Sequence, residues 1–246
     1  MEKIINETIA AFVSRHRGGT AYRRPLTGFA SAADPLFHRL KELVGPGHLL
    51  PSDLLPSARS VVAFFIPFTG ELVRANRNHP YVSRQWAEAY IETNRLISSI
   101  CEHLASVLSE KGVRAAWQEP THNFDPVTLT SFWSHKHVAY LCGLGTFGRN
   151  HLLITSAGCA GRLGSLALDA PLEPSPAPGG ENCLFRRGEE CTSCMDLCPA
   201  GALTEEGLDR QKCYLRLQEV DAYFSDLGPC SVCGKCAAGP CALVVP

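Results

Sequence analysis

Apolar residues recur at helical spacing from Ser83 to Lys111, where Trp86, Tyr90, Ile97, Cys101, Leu104 and Leu108 fall on one stripe. The spacing predicts a long core helix with Gly112 as its left-handed stop, and Cys101 reads as a packing residue on that stripe. Val61 to Ile66 is instead an unbroken run of apolar, β-branched and aromatic residues closed by Pro67. Such a run suits a strand buried on both faces. A shorter helix is predicted to open at Asp34 and Pro35, an N-cap followed by proline at the first helical position. It runs through Leu36, Leu40 and Leu43 to a stop at Gly45 and Pro46. His151 to Thr155 and Gly164 to Leu168 read as two short strands around the turn from Ser156 to Gly161. The alternation predicts an α/β (α+β) fold for this part of the chain.

The pattern breaks between Pro171 and Gly180, where four prolines and two glycines forbid a continuous helix or an interior strand. An extended connector is expected there. Cysteine usage changes at the same place. Of twelve cysteines in 246 residues, only Cys101, Cys142 and Cys159 precede residue 183, and nine fall in the last 64. Two domains are therefore expected, residues 1–175 and residues 176–246. Hydrophobic residues at 45% and charged residues at 19% are ordinary for a globular chain and exclude a disordered one. The 23 basic and 24 acidic residues leave a net charge of −1, so no global positive field gathers nucleic acid or an anionic membrane. Met1 to Gly19 lacks the apolar run of a signal peptide, and no stretch approaches the ~18 apolar residues that span a bilayer. The expected compartment is the cytoplasm, where thiols stay reduced and clustered cysteines mean metal more often than disulfide.

The first cysteine set is Cys183-x7-Cys191-x2-Cys194-x3-Cys198-Pro199. Its end matches the bacterial ferredoxin run C-x2-C-x2-C-x3-C-P, in which closely spaced thiolates wrap the corners of a cube and the proline turns the chain away. Gly188 stands where that run carries its first cysteine, so Cys183 must reach in from a longer loop. The second set is Cys233-x2-Cys236-x4-Cys241, with Cys213 or Cys230 as its remaining member. In two-cluster ferredoxins the fourth cysteine of each set ligates the other cluster. One 4Fe-4S cluster is then expected on Cys183, Cys191, Cys194 and Cys241, and the other on Cys198, Cys233, Cys236 and either Cys213 or Cys230. A zinc ribbon made from the two C-x2-C pairs is disfavoured, because 38 residues separate them against about 15 to 20 in such ribbons. Two clusters imply one-electron transfer, tuned by hydrogen bonds and burial around the thiolates.

The other dense segment runs from Phe132 to Arg162. Its Gly143-x-Gly145-x-x-Gly148 nominally matches a dinucleotide fingerprint, and Asp169 follows at about twenty residues. The match is read as accidental, because no full helix fits between Gly148 and the turn at Ser156. The glycines instead mark a tight turn, or a backbone that approaches something flat or bulky. His135 and His137 would share a face on a strand and diverge on a helix. A neutral histidine near physiological pH suits proton transfer.

The tract from Cys142 through Gly143, Gly145 and Gly148 to Asn150, followed by Leu152 to Thr155, resembles the glycine tract of epoxyqueuosine reductases. Cys191-x2-Cys194-x3-Cys198-Pro-Ala-Gly-Ala202 resembles their first cluster motif. The resemblance extends more loosely from about Tyr22 to Cys241. It is strongest to short relatives that share Trp133 to Ala139 and the Cys233-Gly-Lys-Cys236 motif, in the superfamily that also holds reductive dehalogenases. The resemblance implies a nitroreductase-like α/β domain that binds cobalamin, joined to a ferredoxin-like domain with two 4Fe-4S clusters. Electrons would pass through the clusters to a base-off corrinoid that reduces a small or nucleoside-like substrate. The D-x-H-x-x-G pattern of histidine-ligated corrinoid proteins is absent, in keeping with base-off binding. Ser134, His137, Gly143, Gly145, Thr146, Arg149 and Asn150 are the implied cofactor contacts. Cys213 followed by Tyr214 is shared with the short relatives and favours Cys213 over Cys230 as ligand. A low-potential donor such as a ferredoxin or flavodoxin is the implied partner.

Two departures qualify what the resemblance implies. Full-length reductases continue past the clusters into a helical-repeat domain that helps hold tRNA, whereas this chain stops at Pro246. With no basic run and a net charge of −1, tRNA is disfavoured as substrate. The aspartate that those enzymes carry before the glycine tract falls near Leu129 here, which leaves Asp125 and His135 as candidate proton donors. Two readings of other classes remain open: a ferredoxin-like electron-transfer protein without substrate chemistry, and a carrier or reactivation protein for another corrinoid enzyme.

Overall fold

The computed structural model describes all 246 residues. The chain opens with an amphipathic helix, α1 (Glu2–Ser14), whose Ile5, Ile9 and Val13 repeat at four-residue spacing on its buried face. It continues through β1 (Leu26–Ser31), α2 (Leu36–Leu43), the single turn α3 (Pro51–Leu54) and β2 (Ser60–Pro67). Next come α4 (Gly70–Asn78), the long α5 (Arg84–Ser109) and β3 (Ala115–Trp117). A minimal hairpin of β4 (Phe124–Asp125) and β5 (Thr130–Ser131) precedes α6 (His135–Leu141). The hairpin of β6 (Gly145–Phe147) and β7 (Leu153–Thr155) leads to β8 (Gly161–Leu168). Beyond it, regular structure is sparse: α7 (Ser193–Asp196), α8 (Arg210–Tyr223) and three 3-10 turns at Phe185–Arg187, Ser225–Leu227 and Lys235–Ala237.

Four strands form an antiparallel sheet in the order β1-β2-β8-β3. β2 is buried along its whole length. Strand alternation sends Val62, Phe64 and Ile66 to one face and Val61 and Ala63 to the other. The first face is covered by α1 and by Ile97, Ile100, Leu104 and Leu108 of α5. The second is covered by Phe37 and Leu40 of α2 and by Val138 and Ala139 of α6. Helices on both sides explain why this antiparallel sheet carries an unbroken apolar strand. Ser83 caps α5 by accepting from the Trp86 N–H, and Gly112 ends it at φ 76°.

α2 departs from its expected pattern. Asp34 accepts from the Leu36 N–H, and the buried residues are Phe37 and Leu40, while Leu36 and Leu43 stay 41% and 61% exposed. The connector from Pro171 to Gly180 carries no helix or strand and runs beside β1, where Phe29 and Ser175 exchange two hydrogen bonds of 3.0 and 2.9 Å.

The cysteine-rich segment folds back onto α4 and α5. Val220, Phe224, Val232, Ala238 and Ala242 pack there with Phe68, Trp86 and Tyr90. Buried Lys235 donates to the carbonyls of Asn76 and His79, both at 2.5 Å, at the end of α4 where the helix dipole favours a cation. No helix is long and apolar enough to cross a membrane.

Candidate functional site

All twelve cysteines are free thiols. Eight of them gather in two groups. Cys183, Cys191, Cys194 and Cys241 line one small cavity, with Arg149, Asn150 and Phe185 completing its wall. Burial pushes the Cys194 thiol up to about 11, and the neighbouring thiols of Cys241, Cys191 and Cys183 add to the rise. The second group is Cys198, Cys213, Cys233 and Cys236. Burial raises the Cys236 thiol most, followed by Cys233, Cys213 and Cys198, with Cys194 of the first group as a further neighbour. Cys230 stands apart: its Sγ donates to the Ala87 carbonyl at 3.8 Å within the apolar contact around Trp86. No three His, Cys, Asp or Glu side chains converge as ligands of a single metal ion. A cube seats four thiolates further apart than one tetrahedral ion does.

The cations around the second group fit a negatively charged cube. The Arg216 guanidinium stacks on Tyr81 at 4.1 Å and lies beside the Cys233 sulfur, and its buried Nε has no protein partner. A buried donor cannot remain unpaired without penalty, and a cluster sulfur held beside it would supply the missing acceptor. Lys136 lies near Cys213 and Cys236 on another side.

A cavity of about 830 Å³ opens between α2, α6, β6 and the start of α8, within the range of ligand pockets. Cys213 of α8 lines its wall, so the second thiol group borders it. The floor is built from α6. His48 Nδ1 lies 2.8 Å from the Leu49 carbonyl, which can only accept, so Nδ1 carries the proton and Nε2 accepts the Ser134 N–H at 3.0 Å. That bond fixes the first turn of α6. Ser134 Oγ then meets His137 Nδ1 at 2.7 Å, and both residues face the cavity. Burial lowers His137 to about 3, with the positive charge of Lys136 and Arg210 adding to the shift, so the ring is neutral at pH 7. Lys136 Nζ donates to the His151 carbonyl at 3.1 Å. Arg39, Lys136, Arg186 and Arg210 line the chamber against one carboxylate, Glu181. None of these four cations is in an ion pair, so the chamber is locally positive. The exposed leucines of α2 form part of its apolar rim, with Tyr140 and Phe147.

Of the expected cofactor contacts, Ser134, His137 and Thr146 line this cavity, whereas Gly143, Gly145, Arg149 and Asn150 do not. Gly143, at φ 75°, faces the Pro176 carbonyl, and Gly145 lies against the Ile154 carbonyl across the β6–β7 pair. Gly143 and Gly145 thus shape a turn into a hairpin, while Gly148 lines the cavity together with Thr146, and the tract does not open a dinucleotide helix. Arg149 stacks on Phe185 at 3.9 Å and joins Asn150 beside the first thiol group.

Neither expected proton donor faces the cavity. Asp125 accepts from the N–H groups of Val127 and Thr128 in the β4–β5 turn, which holds its carboxyl below the usual range. His135 and His137 diverge because both lie on a helix. His135 points into the core, with Nδ1 2.8 Å from Ser165 Oγ and Nε2 3.1 Å from the Glu119 carbonyl. The carbonyl can only accept, so Nε2 carries the proton and Ser165 donates to Nδ1. Ser165 in turn accepts from Trp133 Nε1 at 2.9 Å. Burial lowers His135 to about 4. Leu129 does line the cavity, in a left-handed conformation at φ 54°. Arg39, Arg186 and Arg210 were not anticipated, because only the tertiary fold brings them to the chamber, and neither was His48, which lies buried behind Ser134. Lys136 was visible only as the middle of Trp133 to Ala139.

No protein-family model matches the chain. Over 184 residues, 72% of the chain, it is 28% identical to the epoxyqueuosine reductase of Staphylococcus aureus and 25% identical to that of Bacillus subtilis. The chain spans 44% of the length of each of these relatives. Among solved structures, an epoxyqueuosine reductase with a tRNA-Tyr epoxyqueuosine-modified stem loop superposes with a TM-score of 0.62 at 21% identity, covering 98% of this chain and 65% of that one. A reductive dehalogenase whose structure suggests a mechanism for B12-dependent dehalogenation superposes with a TM-score of 0.53 at 18% identity, covering 79% of this chain and 26% of that one. The chain is thus similar in sequence to epoxyqueuosine reductases over 72% of its length, and its fold is shared with both groups of solved structures.

Proposed function

We propose that the chain is the reductase core of a cobalamin-dependent iron-sulfur enzyme. In this reading residues 1–175 are a nitroreductase-like α/β domain that holds the corrinoid, and residues 176–246 are a ferredoxin-like domain with two 4Fe-4S clusters. Cys183, Cys191, Cys194 and Cys241 hold one cluster; Cys198, Cys213, Cys233 and Cys236 hold the other. When bound, the clusters supply single electrons at low potential and the corrinoid supplies reduced cobalt for the reduction of a small or nucleoside-like substrate. A ferredoxin or flavodoxin is the donor this chemistry calls for.

The observation that carries the reading is the double position of Cys213, which neighbours Cys198 and Cys233 and also lines the 830 Å³ cavity. One cluster would then sit in the wall of the chamber that holds the occupant. The chain's own residues prepare that chamber. Ser134 orients His137, whose neutral ring offers a hydrogen bond without adding charge. Lys136 Nζ, the only ammonium in the lining, is the proton-bearing group at the floor in place of Asp125 and His135. Leu36, Leu43, Tyr140 and Phe147 shield one side from water. The cations of the rim give a local positive patch that the net charge of −1 conceals. Since one relative was solved with a tRNA stem loop, a nucleoside carried on RNA belongs among the substrates to test.

Anaerobic reconstitution followed by iron, sulfide and cobalt quantitation tests the proposal. About eight irons per chain with stoichiometric corrinoid is the expected result. Eight irons with no corrinoid affinity would leave an electron-transfer protein, and zinc without sulfide would overturn both readings.

A further inference from the structure

Cys159 lies outside both sets of four, yet it is held against one of them. The turn closed by Gly158, at φ 81°, pairs its backbone with a ligand segment: the Cys159 N–H donates to the Cys241 carbonyl and the Ala160 N–H to the Ala242 carbonyl, each at 2.9 Å. This register brings the buried Cys159 Sγ within 3.8 Å of Cys241 Sγ. Asn150, also buried, closes the other side. Its Oδ1 accepts from the Leu152 N–H at 3.1 Å, which turns Nδ2 toward the Cys236 carbonyl at 3.1 Å, Cys159 Sγ at 3.7 Å and Cys241 Sγ at 4.0 Å. Cys159 does not line the cavity shared by Cys183, Cys191, Cys194 and Cys241, so it stands behind the ligand rather than at a corner.

We propose that Cys159 and Asn150 are positioning residues that form a donor pair on the Cys241 sulfur and raise the reduction potential of the cluster it helps to hold. The inference rests on the cluster assignment above. As a metal-bound thiolate, Cys241 sulfur can only accept, and the side-chain donors within reach are the N–H of Asn150 and the S–H of Cys159, whose other acceptor is the Ala237 carbonyl at 3.9 Å. Reduction adds one electron and no proton to the cluster, which increases the negative charge on its sulfurs. Donors to those sulfurs therefore stabilise the reduced form more than the oxidised form. Asn150 also grips the carbonyl of Cys236, so one side chain ties the ligand segments of both clusters together.

The test is a redox titration, followed by electron paramagnetic resonance, of the reconstituted protein and its Cys159→Ala, Cys159→Ser and Asn150→Ala variants. Cys159→Ala is expected to keep about eight irons and to move the midpoint of one cluster to more negative values. A tenfold change in its reduction equilibrium, about 59 mV for one electron, is the upper bound. The other cluster stays where it was, Cys159→Ser moves the midpoint less because its hydroxyl still donates, and Asn150→Ala moves the same cluster in the same sense. Eight irons with unmoved midpoints in both Cys159 variants would overturn the donor pair alone. Loss of four irons in Cys159→Ala would overturn it by making Cys159 a ligand. Wild-type protein that takes up neither iron nor sulfide would sink the cluster assignment and this inference with it.

Discussion

The partners of its two ring nitrogens decide what each histidine here can do. His135 is closed on both sides by Ser165 and Glu119 and is held neutral down to about pH 4. Its folded pKa lies below the ordinary value of 6.5, so the unfolded chain takes up the proton first. The stabilisation is complete above pH 6.5 and declines as pH falls toward 4, at about 1.4 kcal/mol per pH unit and on the order of 3 kcal/mol in all. His48 and His137, also lowered mainly by burial, act in the same direction. The melting temperature is expected to drop between pH 6.5 and 4.5, and His135→Gln should melt lower at pH 7 with a shallower dependence on pH. An unchanged slope in the variant would show that His135 does not titrate in this way. The cysteines allow an equally local test. Cys213→Ser is expected to reduce about eight irons to about four, whereas Cys230→Ser, whose thiol faces Ala87 and not the other sulfurs, keeps them all. The reverse result would exchange the two assignments.

Elements whose period is carried by buried residues were legible in the sequence, and those shaped by the cavity were not. α5 and β2 have their apolar positions facing packed neighbours, so periodicity located both. In α2 two of the three leucines used to trace the helix face outward, because they border the chamber rather than the core. The β4–β5 hairpin has two residues per strand, too few to show any period, so periodicity does not reveal that its turn holds Asp125. Spacing and the two-cluster precedent named seven of the eight grouped thiols and left Cys213 or Cys230 as the eighth, where the resemblance to the short relatives favoured Cys213. The approach of Cys159 to Cys241 spans 82 residues and depends on one turn, so no spacing rule reveals it. That turn has its own test. At Gly158 an added Cβ would lie 2.3 Å from the Ala242 carbonyl in a left-handed conformation, while at Gly112 the same atom meets open space. Gly112→Ala is expected to destabilise by about 1 kcal/mol with full iron content. Gly158→Ala should cost more than that and lower the iron content toward half, because the displaced segment carries Cys241. Full iron content in Gly158→Ala would separate the turn from the cluster.

At the scale of the whole molecule, the proline-rich connector and the change in cysteine usage suggest two domains, yet the apolar contacts cross between them. Six members of a fourteen-residue buried cluster, Val220, Phe224, Cys230, Val232, Ala238 and Ala242, come from the segment after the connector. The other eight come from residues 68–160. Polar contacts reinforce the joint: Asn76 donates to the Cys233 carbonyl at 3.0 Å, Arg77 to that of Ala238 at 3.3 Å, and Lys235 reaches the end of α4. Gly234 lies so close to the Trp86 indole that an added Cβ would overlap it. A fragment of residues 1–175 would therefore expose Phe68, Trp86 and Tyr90 together, and the last turn of α4 would lose the cation on its carbonyls. It is expected to be expressed as an aggregating or partly unfolded chain, while the full chain is monodisperse. The joint also fixes Cys213 against the cavity, so it governs the distance an electron would travel. Lys235→Met, which keeps the bulk but leaves two buried carbonyls unpaired, is expected to lower stability by about 2 to 4 kcal/mol. It should also speed protease cleavage in the connector. A well-folded fragment 1–175, with a cooperative melting transition of its own, would show instead that the two parts fold independently and that the distance between the thiols and the cavity is free to change.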